Sequence, residues 1–446
     1  MHGKRLWVLA TMVGLSMLLV FGVGNVFNDA MFVTDPKPNR HPAEPVPEPL
    51  AGTKEITIQV AMDADEYAVL NQLKQQYQSI HAELSLKLDL VSPSAAYASW
   101  KKAAQLGESA DVLLLDNRWV TEFAALGYLT PVDSLLTSDQ MSQQLQPMVN
   151  QVKWNGYTWG VPKDLDLPVV VYSAKRLQEL GTDKPPAQSE ELLSLHTASM
   201  KLNDGKLGLY ADLEDPDSIV ALTQAFGGAK AQGKAGLVKL TEPAAVKALE
   251  SLFPDANGTG SLFPLSGSPS WKPWERLQQG TMLGMLTTLS AYKQHAADGL
   301  VLSALPLPKG EAVWKSGWLA GRSFVITSHT RYPKEAFELI RELTNAASSV
   351  KFWNEGHRLP TVMNSYAIGG IRNDAAVQLV TPFLDKEEGA PLPPLQNRQL
   401  LLLEEGLQKL RRGELAWKAM LEQTMQLWDK GDPGAVTAPA GPPRSS

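Results

Sequence analysis

The sequence predicts an α/β fold in which mostly parallel sheets are flanked by helices, and three observations support this prediction. Segments with the two-residue alternation of β-strands take turns with segments of helical spacing. The chain has 446 residues, which at roughly 100–200 residues per domain is enough for two or three folded units. Apolar residues make up 44% of the chain, which is enough for a substantial buried core.

Composition excludes several classes of function. The chain has 41 Lys and Arg residues against 47 Asp and Glu residues, which gives a net charge of −6. A nucleic-acid-binding protein needs a basic face for the phosphates, so we expect no nucleic-acid partner. The chain has no Cys, and it therefore has no disulfides, thiolate metal ligands, cysteine nucleophile or cysteine-linked lipid.

The first predicted element is a membrane-spanning helix. Residues 6–28 form an uncharged, largely apolar run, about long enough as a helix to cross the roughly 30 Å hydrocarbon core of a bilayer. Lys4 and Arg5 precede the run and Asp29 follows it, so the positive-inside rule places the remainder of the chain outside the cytoplasm. Residues 1–30 are thus predicted to be a signal anchor. A cleaved signal peptide is the alternative, disfavoured because good cleavage sites are missing.

A proline-rich stalk and a C-terminal tail enclose the folded body. Residues 31–53 contain six Pro residues, and Pro at this density favours an extended, semi-rigid spacer. Residues 431–446 are rich in Gly, Pro and Ala, which predicts a disordered tail.

The body between these ends alternates strands with helices. Strands are predicted at 56–60, 84–90, 112–115, 167–172, 300–305 and 323–327. Helices are predicted at 67–77, 95–106, 189–201, 243–252, 274–279, 333–345 and 399–430. The fully apolar run at 112–115 is typical of a central strand that is covered on both faces. Open sheets bind ligands outside the carboxyl ends of their strands, which places residues 62–65 and 116–119 on a predicted binding rim.

Tryptophan is abundant near the predicted loops. Seven of the twelve Trp residues lie there, namely Trp119, Trp154, Trp159, Trp271, Trp274, Trp314 and Trp318. Indole faces match the apolar faces of pyranose rings, and carboxylates or Arg side chains bind vicinal hydroxyls. Such loops suit sugars, although most Trp residues in proteins serve in core or hinge packing.

Enzyme signatures are mostly missing. The sequence contains no G-x-S-x-G, no phosphate-binding P-loop and no H-E-x-x-H motif, and its seven His residues lack metal-ligand spacing. Asp164 and Asp166 would share one face of a strand, and a carboxylate pair is what a glycosidase needs, but glycosidases take their two carboxylates from separate elements. We therefore predict no catalytic residue, no metal and no cofactor.

Several motifs resemble those of the bacterial extracellular solute-binding proteins, family 1, the sugar-binding components of ABC importers, to which maltose-binding protein is distantly related. DVLLLD at 111–116 followed by FAALGYLTPVD at 123–133 is the clearest of them. Further matches occur in the family's order at 155–162, 171–175, 180–186, 279–282, 306–310 and 359–361. The resemblance runs from about residue 56 to residue 428. Two departures are a missing Trp at 286–290 and the missing lipoprotein cysteine, which agrees with tethering by a helix.

The resemblance implies a two-lobed, periplasmic-binding-protein-like clamshell of type II. Lobe 1 would comprise residues 54–167 and about 323–365, and lobe 2 residues 168–322 and about 366–430. The tryptophan pattern and the resemblance together predict ligand contacts from Asp116, Asn117, Arg118, Trp119, Asp166, Trp271, Trp274, Tyr292, Trp318, Gly321 and Arg322.

The function implied is capture of a mono- or oligosaccharide in the cleft between the lobes and its delivery to the permease of an ABC transporter. The protein would be a monomer on the outer face of the cell membrane. One alternative keeps the fold and makes the protein a membrane-tethered sensor for a receptor kinase. Another is a carbohydrate hydrolase that uses Asp164 or Asp166. A third changes the solute to a peptide or a phosphorylated polyol, with Arg118 and Arg322 binding an anion.

Overall fold

The structure is a computed structural model of the chain, and it describes residues 52–202, 206–213, 215–231, 238–252, 271–311, 320–384, 392–394 and 396–429. The predicted membrane helix, the stalk up to residue 51 and the tail at 431–446 lie outside the described residues. Of the helices within the described ranges, none has both the length and the hydropathy that crossing a membrane requires.

The strands of the described ranges are β1 (Lys54–Val60), β2 (Leu84–Leu90), β3 (Val112–Asp116), β4 (Leu129–Thr130), β5 (Lys153–Trp154), β6 (Tyr157–Thr158), β7 (Val161–Asp166), β8 (Pro168–Ser173), β9 (Leu207–Tyr210), β10 (Met282–Thr288), β11 (Leu300–Ala304), β12 (Ala320–Thr327) and β13 (Leu359–Pro360). They form a seven-stranded first sheet in the order β13-β7-β12-β3-β1-β2 with β4 paired to β12, a second sheet in the order β11-β8-β10-β9, and a small β5–β6 hairpin.

The α-helices cover Ala64–Ile80, Pro93–Leu106, Asn117–Ala125, Ser138–Ser142, Gln146–Gln151, Ala174–Glu179, Ser189–Lys201, Pro216–Gly227, Pro243–Leu252, Pro273–Gln279, Leu289–His295, Pro333–Leu343, Ala346–Gly356, Ser365–Ile368, Ala375–Leu384, Gln396–Arg411 and Trp417–Asp429. Local chemistry sets several of their ends. Asp63 begins the first helix by accepting a hydrogen bond from the N–H of Glu66 at 2.8 Å. Gly107 ends the second in the left-handed conformation, at φ +75°.

The prediction of mostly parallel sheets is wrong, because both sheets are mixed. β1 runs parallel to β2 and β3, and β9 runs parallel to β10. The pairings β12–β3, β12–β7, β8–β10 and β8–β11 are antiparallel. The alternation of strand and helix that predicts parallel pairing occurs in β1 to β3, where helices form the crossovers. The antiparallel pairs involve the strands that enter or leave a sheet where the chain passes between the two sheets.

The strand cores confirm that both sheets are covered on both faces. Alternate residues of β3 point into different apolar clusters, with Leu114 packing on one face and Leu113 and Leu115 on the other. β8 does the same, with Tyr172 in one cluster and Val171 in another. Double coverage explains why these strands are continuous apolar runs in the sequence.

The chain passes directly from the first sheet to the second at Leu167. β7 ends at Asp166 in the first sheet and β8 begins at Pro168 in the second. It returns between β11 in the second sheet and β12 in the first. The carbonyl of Leu167 accepts a hydrogen bond from the N–H of Leu289 at 2.9 Å, which fixes the first crossing to the helix that follows β10.

The helix predicted at 399–430 is two helices, Gln396–Arg411 and Trp417–Asp429. Gly413 adopts a left-handed conformation at φ +70°, and its N–H donates to the carbonyl of Leu410 at 2.9 Å. A helix ends readily at a glycine in this conformation. The apolar periodicity of the sequence continues past this point, which is why the two helices were predicted as one.

Candidate functional site

A cavity of about 280 Å³ lies at the crossing between the two sheets. Its walls include Asp166 and Ala320 from the first sheet, Leu286 from the second, and both residues of the crossing, Leu167 and Pro168. One face of the helix Pro216–Gly227, from Asp217 to Gln224, also contributes to the lining. Residues from two sheets thus enclose one space, which is the arrangement expected of a ligand site between two α/β units.

Acidic side chains dominate the polar part of this cavity. Asp166, Asp212, Asp215 and Asp217 line it together with Gln224. Among the described residues that line it there is no Lys, Arg or His and no aromatic ring. The described parts of the chain also contain no group of three His, Asp or Glu residues arranged to hold a metal ion. The described lining therefore provides hydrogen-bond acceptors and negative charge beside apolar surface.

The carboxylates of Asp212, Asp215 and Asp217, called the acidic wall below, are close enough to affect one another's charge. The carboxylate of Asp215 caps the helix by accepting hydrogen bonds from the N–H of Asp217 at 3.0 Å and the hydroxyl of Ser218 at 3.3 Å. The Asp215 side chain still reaches solvent, but partial burial and the charge of Asp217 raise its pKa to about 7. Burial also raises the pKa of Asp212. Negative charge is thus unfavourable here until something compensates it.

Gln224 is a buried amide on the cavity wall. Its side chain is 6% exposed, and neither its Oε1 nor its Nε2 has a hydrogen-bond partner among the described residues. A buried polar group without a partner costs about 1–3 kcal/mol. Gln224 is therefore a group whose hydrogen bonds a ligand could complete.

Arg118 joins the predicted rim to the acidic wall. Its Nε and Nη2 lie 2.8 and 2.5 Å from the carboxylate of Asp116, the residue that ends β3 and caps the next helix. Its Nη1 lies 2.6 and 2.7 Å from the two carboxylate oxygens of Asp217. Burial opposes the charge, yet Asp116 and Asp217 raise the pKa of Arg118 well above its usual value. The guanidinium thus binds two protein carboxylates, those of Asp116 and Asp217.

Arg322 lies in a buried ion network beside the crossing. Its guanidinium donates to Asp164 at 2.6 and 2.9 Å and to Glu66 at 2.5 and 3.0 Å. Lys163 donates to the same two carboxylates, and Arg358 donates to Asp164 at 2.9 Å. Burial alone would raise the pKa of Asp164, but the charges of Arg322, Lys163 and Arg358 hold it well below its usual range. Arg322 is therefore a structural cation in this structure.

Asp166 belongs both to the cavity and to the ion network. Its carboxylate accepts hydrogen bonds from the backbone and hydroxyl of Ser290 at 3.1 and 2.5 Å, and from Arg358 at 3.2 Å. Ser290 follows a strand of the second sheet, whereas Asp166 ends a strand of the first. Of the eleven predicted site residues, Asp166 is the one that lines the cavity within the described chain.

Asn117 and Gly321 are packed against each other next to the cavity. The amide of Asn117 donates to Gln151 at 2.8 Å and accepts from the hydroxyl of Ser323 at 2.6 Å. A Cβ atom at Gly321 would lie 2.4 Å from Nδ2 of Asn117 and 2.9 Å from Sδ of Met148. The glycine is thus required by close packing, and the neighbouring Ala320 reaches the cavity.

The aromatic residues among the predicted ligand contacts pack against other rings and apolar side chains of the described chain. The Trp119 ring lies 5.4 Å from that of Tyr97, and the Trp271 ring lies 5.0 Å from that of Tyr210. The Trp274 ring stacks on the imidazole of His295 at 4.5 Å. Tyr292 packs against apolar clusters on either side of it, although its neighbour Ala291 lines the cavity. Trp318 lies outside the described residues.

Sequence reasoning missed the acidic wall and Gln224. One signal was present, because Asp212 and Asp215 lie between β9 and the next helix, and Asp217 lies in the first turn of that helix. This is the position at which α/β folds place ligand groups. The strand Leu207–Tyr210 was not among the predicted strands, so this second rim went unnoticed. No local pattern distinguishes Gln224 from other polar residues of its helix.

Comparison with known proteins shows that the sequence is similar to those of solute-binding proteins. The sequence profile of the family described as bacterial extracellular solute-binding protein matches residues 75–378, about two thirds of the chain. A maltotriose-binding protein of Pyrococcus abyssi is 24% identical over 203 residues, which is 45% of this chain and 43% of that protein.

Solved structures show the same fold. The GacH receptor of Streptomyces glaucescens, solved unliganded and with acarbose, matches with a TM-score of 0.70 at 19% identity, covering 85% of this chain and 98% of the other. A solute-binding protein of an ABC transporter from Thermotoga lettingae, bound to α-D-tagatose, matches with a TM-score of 0.70 at 18% identity over 85% and 99% of the two chains.

Proposed function

We propose that this chain, which belongs to the family of bacterial extracellular solute-binding proteins, binds a carbohydrate in the cavity at the crossing between its sheets and delivers it to the permease of an ABC transporter. The observation that carries the proposal is a cavity whose lining combines carboxylates and a carboxamide with apolar surface. Sugar hydroxyls are donors that carboxylates bind well, and the carbon faces of a sugar suit the apolar wall.

The size of the cavity favours a small sugar. Its volume of about 280 Å³ falls just below the roughly 300–1,000 Å³ that is usual for pockets of drug-sized ligands. We therefore propose a mono- or disaccharide as the occupant in this conformation. The two solved structures compared above support the carbohydrate class, since one is a complex with α-D-tagatose and the other was solved with acarbose.

Capture requires no covalent step. Each lobe would bind one side of the sugar, and rotation of the lobes about residues that flank the two crossings, β7 to β8 and β11 to β12, would enclose it. A micromolar dissociation constant corresponds to about −8 kcal/mol, which a few charge-assisted hydrogen bonds and buried apolar area supply.

The contacts of Asp164 and Asp166 argue against a hydrolase that would use these two residues. A glycosidase acid must hold a proton near neutral pH, whereas three cations keep Asp164 ionised far below that. Asp166 is engaged by Ser290 and Arg358. The anionic-solute alternative also loses its basis, because Arg118 and Arg322 already bind protein carboxylates.

Location, anchoring and domain limits are parts of the same proposal. An extracellular solute-binding family implies a place outside the cytoplasm, and we propose that residues 1–30 tether the protein to the membrane as a monomer. We also propose two lobes, residues 54–167 with about 323–365, and 168–322 with about 366–430. If residues 1–30 are replaced with a cleavable signal peptide, the protein should move from the membrane fraction to the soluble fraction. Unchanged fractionation would contradict the tether.

Isothermal titration calorimetry with mono-, di- and trisaccharides tests the binding proposal. We expect at least one sugar to bind, and Gln224→Ala to weaken it about ten-fold because the amide would complete its hydrogen bonds on the ligand. Gln408→Ala, an exposed glutamine in the helix Gln396–Arg411, is the matched control and should bind like the unaltered protein. If no sugar binds, or if both variants bind alike, the cavity is not the sugar site.

A further inference from the structure

We propose that this cavity selects a ligand bearing a protonated amine, so that an amino sugar binds more tightly than the neutral sugar of the same shape. The inference rests on the proposed function, because it names the class of carbohydrate that the same cavity takes. Its basis is the excess of carboxylates on one wall and an unsatisfied amide beside them.

The charge balance at this wall is negative. Among the described residues, the charged groups at this wall are the carboxylates of Asp116, Asp212, Asp215 and Asp217 and the guanidiniums of Arg118 and Arg411. Four carboxylates thus face two guanidiniums, and two negative charges are left when all are ionised. The carboxylate of Asp166 does not add to this excess, because it belongs to the network in which three acids meet three cations.

The acceptors of this wall keep room for a donor. Each carboxylate oxygen of Asp215 accepts one hydrogen bond, from the N–H of Asp217 and from the hydroxyl of Ser218. A carboxylate has about four acceptor positions, so about two remain for a ligand. The N-terminus of the helix Pro216–Gly227 would by itself attract an anion, but Asp215 already caps it. An anionic ligand would therefore meet carboxylates, and a cationic one would meet free acceptor positions.

Gln224 supplies an independent indication that a ligand belongs here. It lies on the same helix as Asp217, one face of which lines the cavity. It is 94% buried, with both polar atoms unpartnered within the described chain. A carboxamide offers an acceptor and two donors. Its oxygen can accept from an ammonium or hydroxyl group, and its nitrogen can donate to a ring or glycosidic oxygen.

The remaining lining makes the class a sugar amine rather than a free cation. Leu167, Pro168, Leu286 and Ala320 provide apolar surface in the same cavity. A small hydrated ion gains nothing from apolar surface, whereas the carbon skeleton of a pyranose does. The combination fits an amine carried on a compact polyhydroxylated ring.

Matched sugar triplets test the inference by calorimetry at pH 7 with the full chain in detergent. The probes are D-glucosamine, D-galactosamine and D-mannosamine, each compared with its parent hexose and its N-acetyl derivative. We expect at least one amine to bind about ten-fold more tightly than both of its uncharged partners, since a hydrogen bond to a charged group is roughly twice as strong as a neutral one. Equal or tighter binding of the neutral partners overturns the inference and leaves the proposed function standing. No binding by any of the nine overturns the inference, and the proposed function falls with it only if the di- and trisaccharides also fail to bind.

The variant Asp215→Asn separates charge from shape. Asn caps helices as well as Asp does, so the helix should persist, and circular dichroism with thermal unfolding would confirm it. Because the carboxylate can also bind hydroxyls, both affinities should fall, and we expect the affinity for the amine to fall about ten-fold further than the affinity for the parent hexose. Asp63→Asn is the control, because Asp63 caps another helix and is exposed outside the cavity. Equal losses for amine and parent in Asp215→Asn would refute a role for the charge.

Discussion

Replacing Arg322 with Met distinguishes two roles for this residue. The sequence alone predicted that Arg322 binds the ligand, whereas its contacts indicate that it stabilises the fold. Arg322 makes four hydrogen bonds to Glu66 and Asp164, whose side chains are only 2% and 3% exposed. Met keeps much of the apolar stem of Arg but leaves both carboxylates with fewer cations. Breaking a buried ion pair by removing one partner costs about 3–5 kcal/mol.

The cost should lie at the lower end of that range. Lys163 remains within 3.2 Å of Glu66 and 2.5 Å of Asp164, and Arg358 remains on Asp164. We therefore expect Arg322→Met to lower the free energy of unfolding by about 3 kcal/mol, measured by urea denaturation. Adding Glu66→Gln should recover about 1 kcal/mol or more, because it removes a buried carboxylate that has lost its partner.

An exposed ion pair provides the matched control. Arg412 pairs with Glu414, and both side chains are about half exposed, so Arg412→Met should leave the free energy of unfolding nearly unchanged. If Arg322→Met costs no more than Arg412→Met, the network does not stabilise the fold as argued. If it abolishes sugar binding at unchanged stability, Arg322 is a ligand residue after all.

Three further outcomes follow from the same contacts. Burial opposes the charge of Glu66, but Lys163 and Arg322 lower its pKa to about 2. The ionised carboxylate therefore stabilises the fold above pH 4.5, and this stabilisation disappears as the pH falls towards 2. Between pH 4.5 and pH 2, the free energy of unfolding should fall by roughly 3 kcal/mol less in Glu66→Gln than in the unaltered protein, as measured by acid denaturation. A double-mutant cycle of Arg118→Gln and Asp217→Asn should give a coupling of about 1 kcal/mol in urea unfolding that shrinks in 1 M salt, and zero coupling would contradict the pair. Gly321→Ala should destabilise by about 1–3 kcal/mol in thermal unfolding through overpacking, and an unchanged melting temperature would contradict it.

Strands whose sequence reflects burial were predictable. The runs at 56–60 and 112–115 fall within β1 and β3, because coverage on both faces demands continuous or alternating apolar residues irrespective of what lies far away in sequence. The direction of pairing was not predictable in the same way. β12 joins β3 from more than two hundred residues away, and its antiparallel register, with Arg322 opposite Asp116 and Asp164, is set by the route of the chain between sheets.

The predicted ligand contacts illustrate the same limit. A loop Trp is equally suited to a sugar or to a neighbouring ring, and only the tertiary fold decides, as with Trp119 beside Tyr97 and Trp274 on His295. Likewise the sequence shows that Arg118 is charged but not that Asp217, ninety-nine residues later, binds it. Polar residues whose partners come from another element cannot be assigned from local patterns.

Asp166 connects the stability of the crossing to the state of the cavity. Its carboxylate lines the cavity, receives Arg358 from the ion network and binds Ser290 beyond the second sheet. Any movement that separates the sheets must either carry these partners together or break a buried charge-assisted hydrogen bond, worth about 1.5–3 kcal/mol. Since Leu167 follows directly and its carbonyl is held by Leu289, the first crossing is rigid at Asp166. Rotation should therefore be taken up by the residues that flank this pair of contacts.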